Sequence, residues 1–232
     1  MRTTPIIALD VASADAAMHV VESLGDRCRF YKIGSELFTA AGPSIVTRVR
    51  DAGCDVFLDL KLYDIPNTVR GAARSAARLG VRLLTVHASG GVPMMEAAVE
   101  GGGHATSILA VTVLTSFDDA SLKEATGRPE VVASDEVARL ADLAGRARAH
   151  GIVCSGAEAA AVRAKFADTL AVLVPGIRMA GSAAHDQRRV VSPAEATAAG
   201  ARYIVVGRGV TAAPDPRAAM DQVLGELTSV AV

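Results

Sequence analysis

Charge imbalance is nearly absent from this chain: across 232 residues, 24 Lys and Arg face 25 Asp and Glu, for a formal net charge of -1. That leaves no basic footprint for nucleic acid or an anionic membrane, so any charge chemistry must be local. Cysteine is scarce as well. The three copies, Cys28, Cys54 and Cys154, are odd in number, far apart and set in or beside apolar segments. This argues against a disulfide framework or a metal cluster and for small buried side chains. Long apolar runs are missing too. The opening Met1-Arg2-Thr3-Thr4 leads into Pro5 to Leu9, too short for a signal core or a membrane span, and predicts a cytoplasmic protein. There is no linker, low-complexity tract or fixed-period repeat. With 50% apolar residues and a mean hydropathy of +0.32, the chain is expected to bury one large core as one domain, residues 1–232.

What is present is an alternation of short apolar runs with longer Ala-rich amphipathic segments. The runs are continuous rather than period two, which marks strands buried on both faces of a parallel sheet. Eight are predicted: Ile6 to Leu9, Phe30 to Ile33, Val56 to Leu60, Leu83 to Val86, Ile108 to Leu114, Ile152 to Cys154, Leu170 to Val174 and Tyr203 to Val206. Helix signals fall between them. Ser13 is placed to cap a helix bearing Ala17, Val20, Val21 and Leu24 on one face, with Gly25 at its end. Ser134 precedes the stripe Val137, Leu140, Ala141 and Ala144, with Gly151 before the next strand, and Ser155-Gly-Ala-Glu158 has the form of a capping box. Eight such units predict a closed α/β (β/α)8 TIM barrel. An open doubly wound sheet would normally offer a Gly-rich first turn for a nucleotide, and Ala8-Leu9-Asp10-Val11 has no glycine.

A barrel of this kind presents its active site at the C-terminal ends of its strands. The first strand ends in Asp10, the second reaches Lys32, and the third delivers Asp59 and Lys61, whose spacing of two puts both side chains on one side of an extended strand. Each residue alone also fits a plain structural role: a loop acid, a strand-end lysine, an ion pair. Together, an Asp-Lys-Asp-Lys cluster on three adjacent strands costs desolvation that selection for stability alone would avoid, which favours a functional role. Asp64 lies beyond the strand end, before Ile65-Pro66, where proline biases its predecessor away from helix. Asn67 and Thr68 then open the next helix. The loop is expected to hold Asp64 at the rim, facing its own pocket or a neighbouring subunit.

The stretch Asp59-Leu-Lys61-Leu-Tyr-Asp64-Ile-Pro-Asn-Thr68 resembles the signature of the orotidine 5'-phosphate decarboxylases, in their bacterial form. Asp-x-Lys-x-x-Asp alone marks a wider group of phosphosugar barrels, and Ile-Pro-Asn-Thr narrows it. Ala-Leu-Asp10, Tyr-Lys32-Ile-Gly, Val-His87-Ala, Val-Leu-Thr115-Ser, Pro175-Gly-Ile-Arg178, Asp186-Gln187-Arg-Arg and Val-Gly207-Arg208 resemble further family motifs, in the same order. The resemblance implies a cofactor-free, metal-free enzyme that removes CO2 from orotidine 5'-monophosphate to give UMP, the last step of de novo UMP synthesis. It implies Lys61 as proton donor to C6, Asp59 beside the departing carboxylate, and Asp64 entering the other subunit's site in a homodimer. It also implies substrate contacts from Asp10, Lys32, Ile65, Thr68 and Thr115, with Arg178, Gln187, Gly207 and Arg208 at the phosphate end. No nucleic acid or membrane partner is implied.

The residue chemistry agrees. Loss of CO2 from C6 leaves a poorly delocalised anion in the ring plane, so catalysis must come from fixed charge. An ammonium kept charged by carboxylates can stabilise that anion and then protonate it. Phosphate is commonly held in such barrels by the loops after strands seven and eight, here Pro175 to Arg178 and Gly207-Arg208-Gly209. Glycines admit backbone N–H groups and arginine offers a bidentate fork, although an ordinary turn with a surface arginine would read the same way. Met179 to Arg189 is rich in small residues and is expected to form a lid, with Gln187 its contact on closure. The five histidines show no ligand spacing; His87 is expected at a strand end near the pocket, and Gly101-Gly102-Gly103 reads as a flexible turn without chemistry. Two rival readings remain. A metal-dependent keto-sugar phosphate decarboxylase shares Asp-x-Lys-x-x-Asp, but Lys32 would repel the cation. A noncatalytic phosphate-binding barrel has no need for a lysine between two carboxylates.

Overall fold

The computed structural model describes residues 3–167, 169–178 and 191–229. Its strands are β1 Thr4–Ala8, β2 Phe30–Gly34, β3 Asp55–Leu62, β4 Leu83–His87, β5 Ser107–Val111, β6 Gly151–Val153, β7 Ala171–Val174 and β8 Tyr203–Val206. Each pairs in parallel with the next, and β8 returns to β1 from Tyr203↔Thr4 to Val206↔Ile7, closing the barrel in chain order. Around it run α1 Ala14–Leu24, α2 Ser35–Ala41, α3 Ser44–Asp51, α4 Pro66–Arg78, α5 Gly91–Gly102 and α6 Asp119–Thr126. The circuit continues through α7 Ala133–Arg146, α8 Gly156–Phe166, α9 Pro193–Ala198, the short α10 Arg208–Thr211 and α11 Pro216–Ser229.

Two apolar layers follow from the pleat, since successive strand residues point to opposite faces. Ile6, Phe30, Phe57, Leu83, Leu109, Leu173 and Tyr203 form a cluster inside the barrel. Their neighbours Ile7, Tyr31, Val56, Leu58, Leu84, Ile108, Val172 and Ile204 pack outward with the helices. Burying one such side chain contributes about 1.5–3 kcal/mol, which is why strands covered on both faces read as unbroken apolar runs. The three cysteines are all buried. Among the described residues, no helix is long and apolar enough to cross a membrane.

Several expected details differ. β5 stops at Val111 instead of Leu114; just beyond it Thr112 donates to the Val153 carbonyl through both its N–H (3.2 Å) and its hydroxyl (2.8 Å). Ser13 does cap α1, accepting from Ala16 N at 3.2 Å. Ser134, by contrast, lies inside α7, and the Asp119 carboxylate at the start of α6 accepts from Ala133 N at 2.8 Å. Ser155 caps α8 by accepting from Ala157 N, but its hydroxyl donates to the Glu158 carboxylate, so the two side chains bond each other and the reciprocal backbone bonds of a capping box are not formed. Gly151 is the first residue of β6 rather than a helix terminator; a Cβ there would sit 2.0 Å from the Ala171 carbonyl oxygen, so only glycine fits. Gly101 and Gly102 complete α5, and of the predicted turn only Gly103 lies beyond the helix.

Candidate active site

At the C-terminal ends of the strands lies a cavity of about 500 Å³. Asp10, Lys32, Asp59, Lys61, Thr115, Arg178, Gly207 and Arg208 all line it, over an apolar floor that includes Phe57, Val111, Val153, Leu173 and Val205. Each polar group arrives from a strand end or the loop after one. Around the rim the chain order β7, β8, β1, β2, β3 becomes Arg178, Arg208, Asp10, Lys32 and the Asp59–Lys61 pair.

Charges alternate along that rim. Lys32 Nζ lies 2.9 Å from Asp10 Oδ1 and 3.8 Å from Asp59 Oδ2, and Lys61 Nζ lies 2.9 Å from both Asp59 oxygens. The Lys32 and Asp59 side chains are only 12% and 13% exposed, so the centre of the row is largely desolvated, while Asp10 at 58% and Lys61 at 37% face the opening. Electrostatic interactions are stronger in such surroundings than in water. Two ammoniums and two carboxylates cancel, which makes it feasible to enclose all four.

The convergence of Asp59 and Lys61 has a different cause from the one expected. β3 is not regularly extended here: its register with β4 shifts between Leu58 and Leu62, and Lys61 adopts the left-handed region at φ 49°. A non-glycine residue in that region is unusual and is held there by its surroundings. Two bonds supply the hold. Lys61 N donates to Thr85 Oγ1 at 2.9 Å, and the Thr85 hydroxyl donates to Asp59 Oδ1 at 2.9 Å. Thr85 escaped the sequence reading because a threonine inside Leu83-Leu84-Thr85-Val86 looks like an ordinary strand former. A lone hydroxyl in a doubly buried strand was the available signal.

His87 ends β4, its ring edge-on to Tyr63 with centroids 5.9 Å apart. Burial holds its imidazole below the ordinary pKa, the Lys61 ammonium pushes the same way, and Asp59 opposes. At the far edge, Arg178 N donates to Val191 O at 3.0 Å and its Nη1 to Ile177 O at 2.9 Å, while Gly207 is the N-cap of α10.

Asp64, Ile65 and Thr68 are exposed and do not line this cavity. The Asp64 carboxylate accepts from Ile65 N at 2.6 Å, and the flanking Tyr63 and Ile65 are 64% and 67% exposed. Gln187 and the Met179 to Arg189 segment fall outside the described residues.

The model of the Orotidine 5'-phosphate decarboxylase / HUMPS family matches residues 3–223. The chain belongs to this family. It is similar to the orotidine 5'-phosphate decarboxylase of Cutibacterium acnes, at 50% identity over 94% of this chain and 93% of that one. The orotidine 5'-phosphate decarboxylase of Anaeromyxobacter sp. (strain K) is 52% identical over 91% and 92% of the two chains. Among solved structures, the orotidine 5'-phosphate decarboxylase of Lactobacillus acidophilus superposes with a TM-score of 0.86 at 34% identity, over 98% of this chain and 99% of that one. The family match spans all eight strands of the barrel.

Proposed function

We propose that this chain decarboxylates orotidine 5'-monophosphate to UMP and CO2, the last step of de novo UMP synthesis, as a single cytoplasmic barrel domain spanning residues 1–232. The observation that carries this reading is the Lys61 ammonium, 2.9 Å from both Asp59 oxygens, in a family member whose cavity also gathers Arg178 and Arg208. A cavity of about 500 Å³ lies within the range of small-molecule sites.

The ring takes the apolar floor near Thr115, with its C6 carboxylate directed to the Asp59–Lys61 pair. As the C6–C bond breaks, its electron pair stays on C6 and neutral CO2 departs; Lys61 stabilises the new charge and then delivers its proton to C6. Lys32 and Asp10 bind the ribose region. The phosphate lies against Gly207 and the start of α10, with Arg178 and Arg208 as charged donors, an arrangement common to barrels with a short extra helix after strand eight. The proposed reaction draws on no cofactor and no metal.

Asp64 acts across a homodimer interface, with Ile65 and Thr68 beside it as substrate contacts. Supporting this, all three stand outside their own cavity, and Asp64 is flanked by two exposed apolar side chains, Tyr63 and Ile65. The rival metal-dependent decarboxylase is disfavoured because Lys32 and Lys61 occupy the positions beside Asp59 that a divalent cation would take. The test is the ultraviolet absorbance change of orotidine 5'-monophosphate in EDTA, run beside Lys61→Ala. Metal-independent turnover that vanishes in the variant supports the reading; activity only with added metal, or binding without turnover, would replace it.

A further inference from the structure

We propose that Thr85 is a positioning residue for the reaction, setting the Asp59–Lys61 pair through one hydroxyl; this rests on the decarboxylase reading above. Thr85 is fully buried at 0% exposure in the middle of β4, where the pleat turns it to the inner side with Leu83. A hydroxyl has one proton to give and lone pairs to receive. This one gives its proton to Asp59 Oδ1 and receives the Lys61 N–H, both at 2.9 Å.

Each bond answers a local need. The β3–β4 register breaks between Leu58 and Leu62, so the Lys61 N–H falls where the regular ladder is interrupted, and the Thr85 hydroxyl accepts it there. Lys61 sits at φ 49°, a conformation that persists only when its surroundings impose it. The second bond fixes the Asp59 oxygen that also faces Lys61 Nζ, so a single side chain governs both the backbone that launches the lysine and the carboxylate that receives its head. Valine would fill the same space and offer neither bond. Thr85 does not line the cavity and so acts through its neighbours rather than on substrate.

The experiment compares full-length wild type, Thr85→Val and Thr85→Ser for kcat and KM on orotidine 5'-monophosphate, thermal midpoint, and amide exchange in peptides containing Lys61. Removing the hydroxyl is expected to lower kcat about tenfold or more with KM within about threefold, and to speed exchange at Lys61; serine is expected to stay within about threefold of wild type in both constants. Wild-type kcat in the valine variant, a change in KM alone, unchanged exchange at Lys61, or equal losses in valine and serine would each overturn the proposal. Should Thr85→Val fail to fold, Thr85→Ala against Thr85→Ser reads the same split. A wild type that leaves the nucleotide intact would sink the decarboxylase reading instead, and exchange at Lys61 would still decide whether Thr85 holds that residue.

Discussion

In the proposed reaction Lys61 does two things with one atom: it lowers the energy of an anion forming at C6 and then surrenders a proton to it. Its Nζ is held by both Asp59 oxygens, so its place is set before substrate arrives. Lys61→Ala removes both the charge and the acid. It is expected to cut kcat by about 10³-fold or more while leaving the circular dichroism spectrum unchanged; a variant within about tenfold of wild type would move the proton donor elsewhere. Arg208, exposed at the start of α10, is proposed only to hold phosphate. Losing one charge-assisted contact of about 1.5–3 kcal/mol should raise KM by roughly 10- to 100-fold in Arg208→Ala, with a smaller effect on kcat, and steady-state kinetics separate the two.

At the scale of elements, the ends of β1, β2 and β3 set the charged row, and the room they leave matters as much as the groups they carry. A Cβ built on Gly34 would lie 3.1 Å from Lys32 Nζ and 3.7 Å from Asp10 Oδ1. The end of a lysine can yield by a few tenths of an ångström, so Gly34→Ala should fold normally yet displace the ammonium from Asp10 and Asp59. About a tenfold loss of kcat/KM with an unshifted thermal midpoint is expected; full activity would show that Lys32 tolerates displacement. These strands were legible in the sequence because a parallel strand covered on both faces must be apolar throughout, and a charge ending such a run stands out. Asp10, Lys32, Asp59 and Lys61 were found in that way. The break in β3 was not legible, since spacing by two assumes a regularly extended chain, whereas Lys61 meets Asp59 from a left-handed backbone position beside a register shift within the strand. Helix caps were legible only when local: Ser13 lies in sequence beside the helix it serves, but the Asp119 that caps α7 comes from a different helix.

Over the whole molecule, protons and partners are the variables that remain. His87 near the mouth and His150 at the opposite end, its Nε2 3.2 Å from the Tyr203 hydroxyl, are both held below the ordinary imidazole pKa, first by burial, then by Lys61 in one case and Arg202 and Arg82 in the other. Because the unfolded chain takes up these protons first, stability should fall as pH drops through about 6.5 toward the folded values, by at most about 1.4 kcal/mol per pH unit for each histidine. Thermal midpoints between pH 7.5 and 5.5 measure this, and a midpoint that rises on acidification would contradict it. The rim raises the question of partners. Asp64, Ile65 and Thr68, on the loop after exposed Tyr63 and in the first turn of α4, lie outside the cavity that Lys61 lines, so the proposed contacts require either a rearranged loop or a second chain. Mixing inactive Lys61→Ala and Asp64→Ala subunits distinguishes them. In a mixed dimer with Asp64 acting across the interface, one site lacks both groups and the other has both; random exchange should therefore restore about one quarter of wild-type sites. If Asp64 serves its own barrel, every site in every dimer lacks one group and no activity returns.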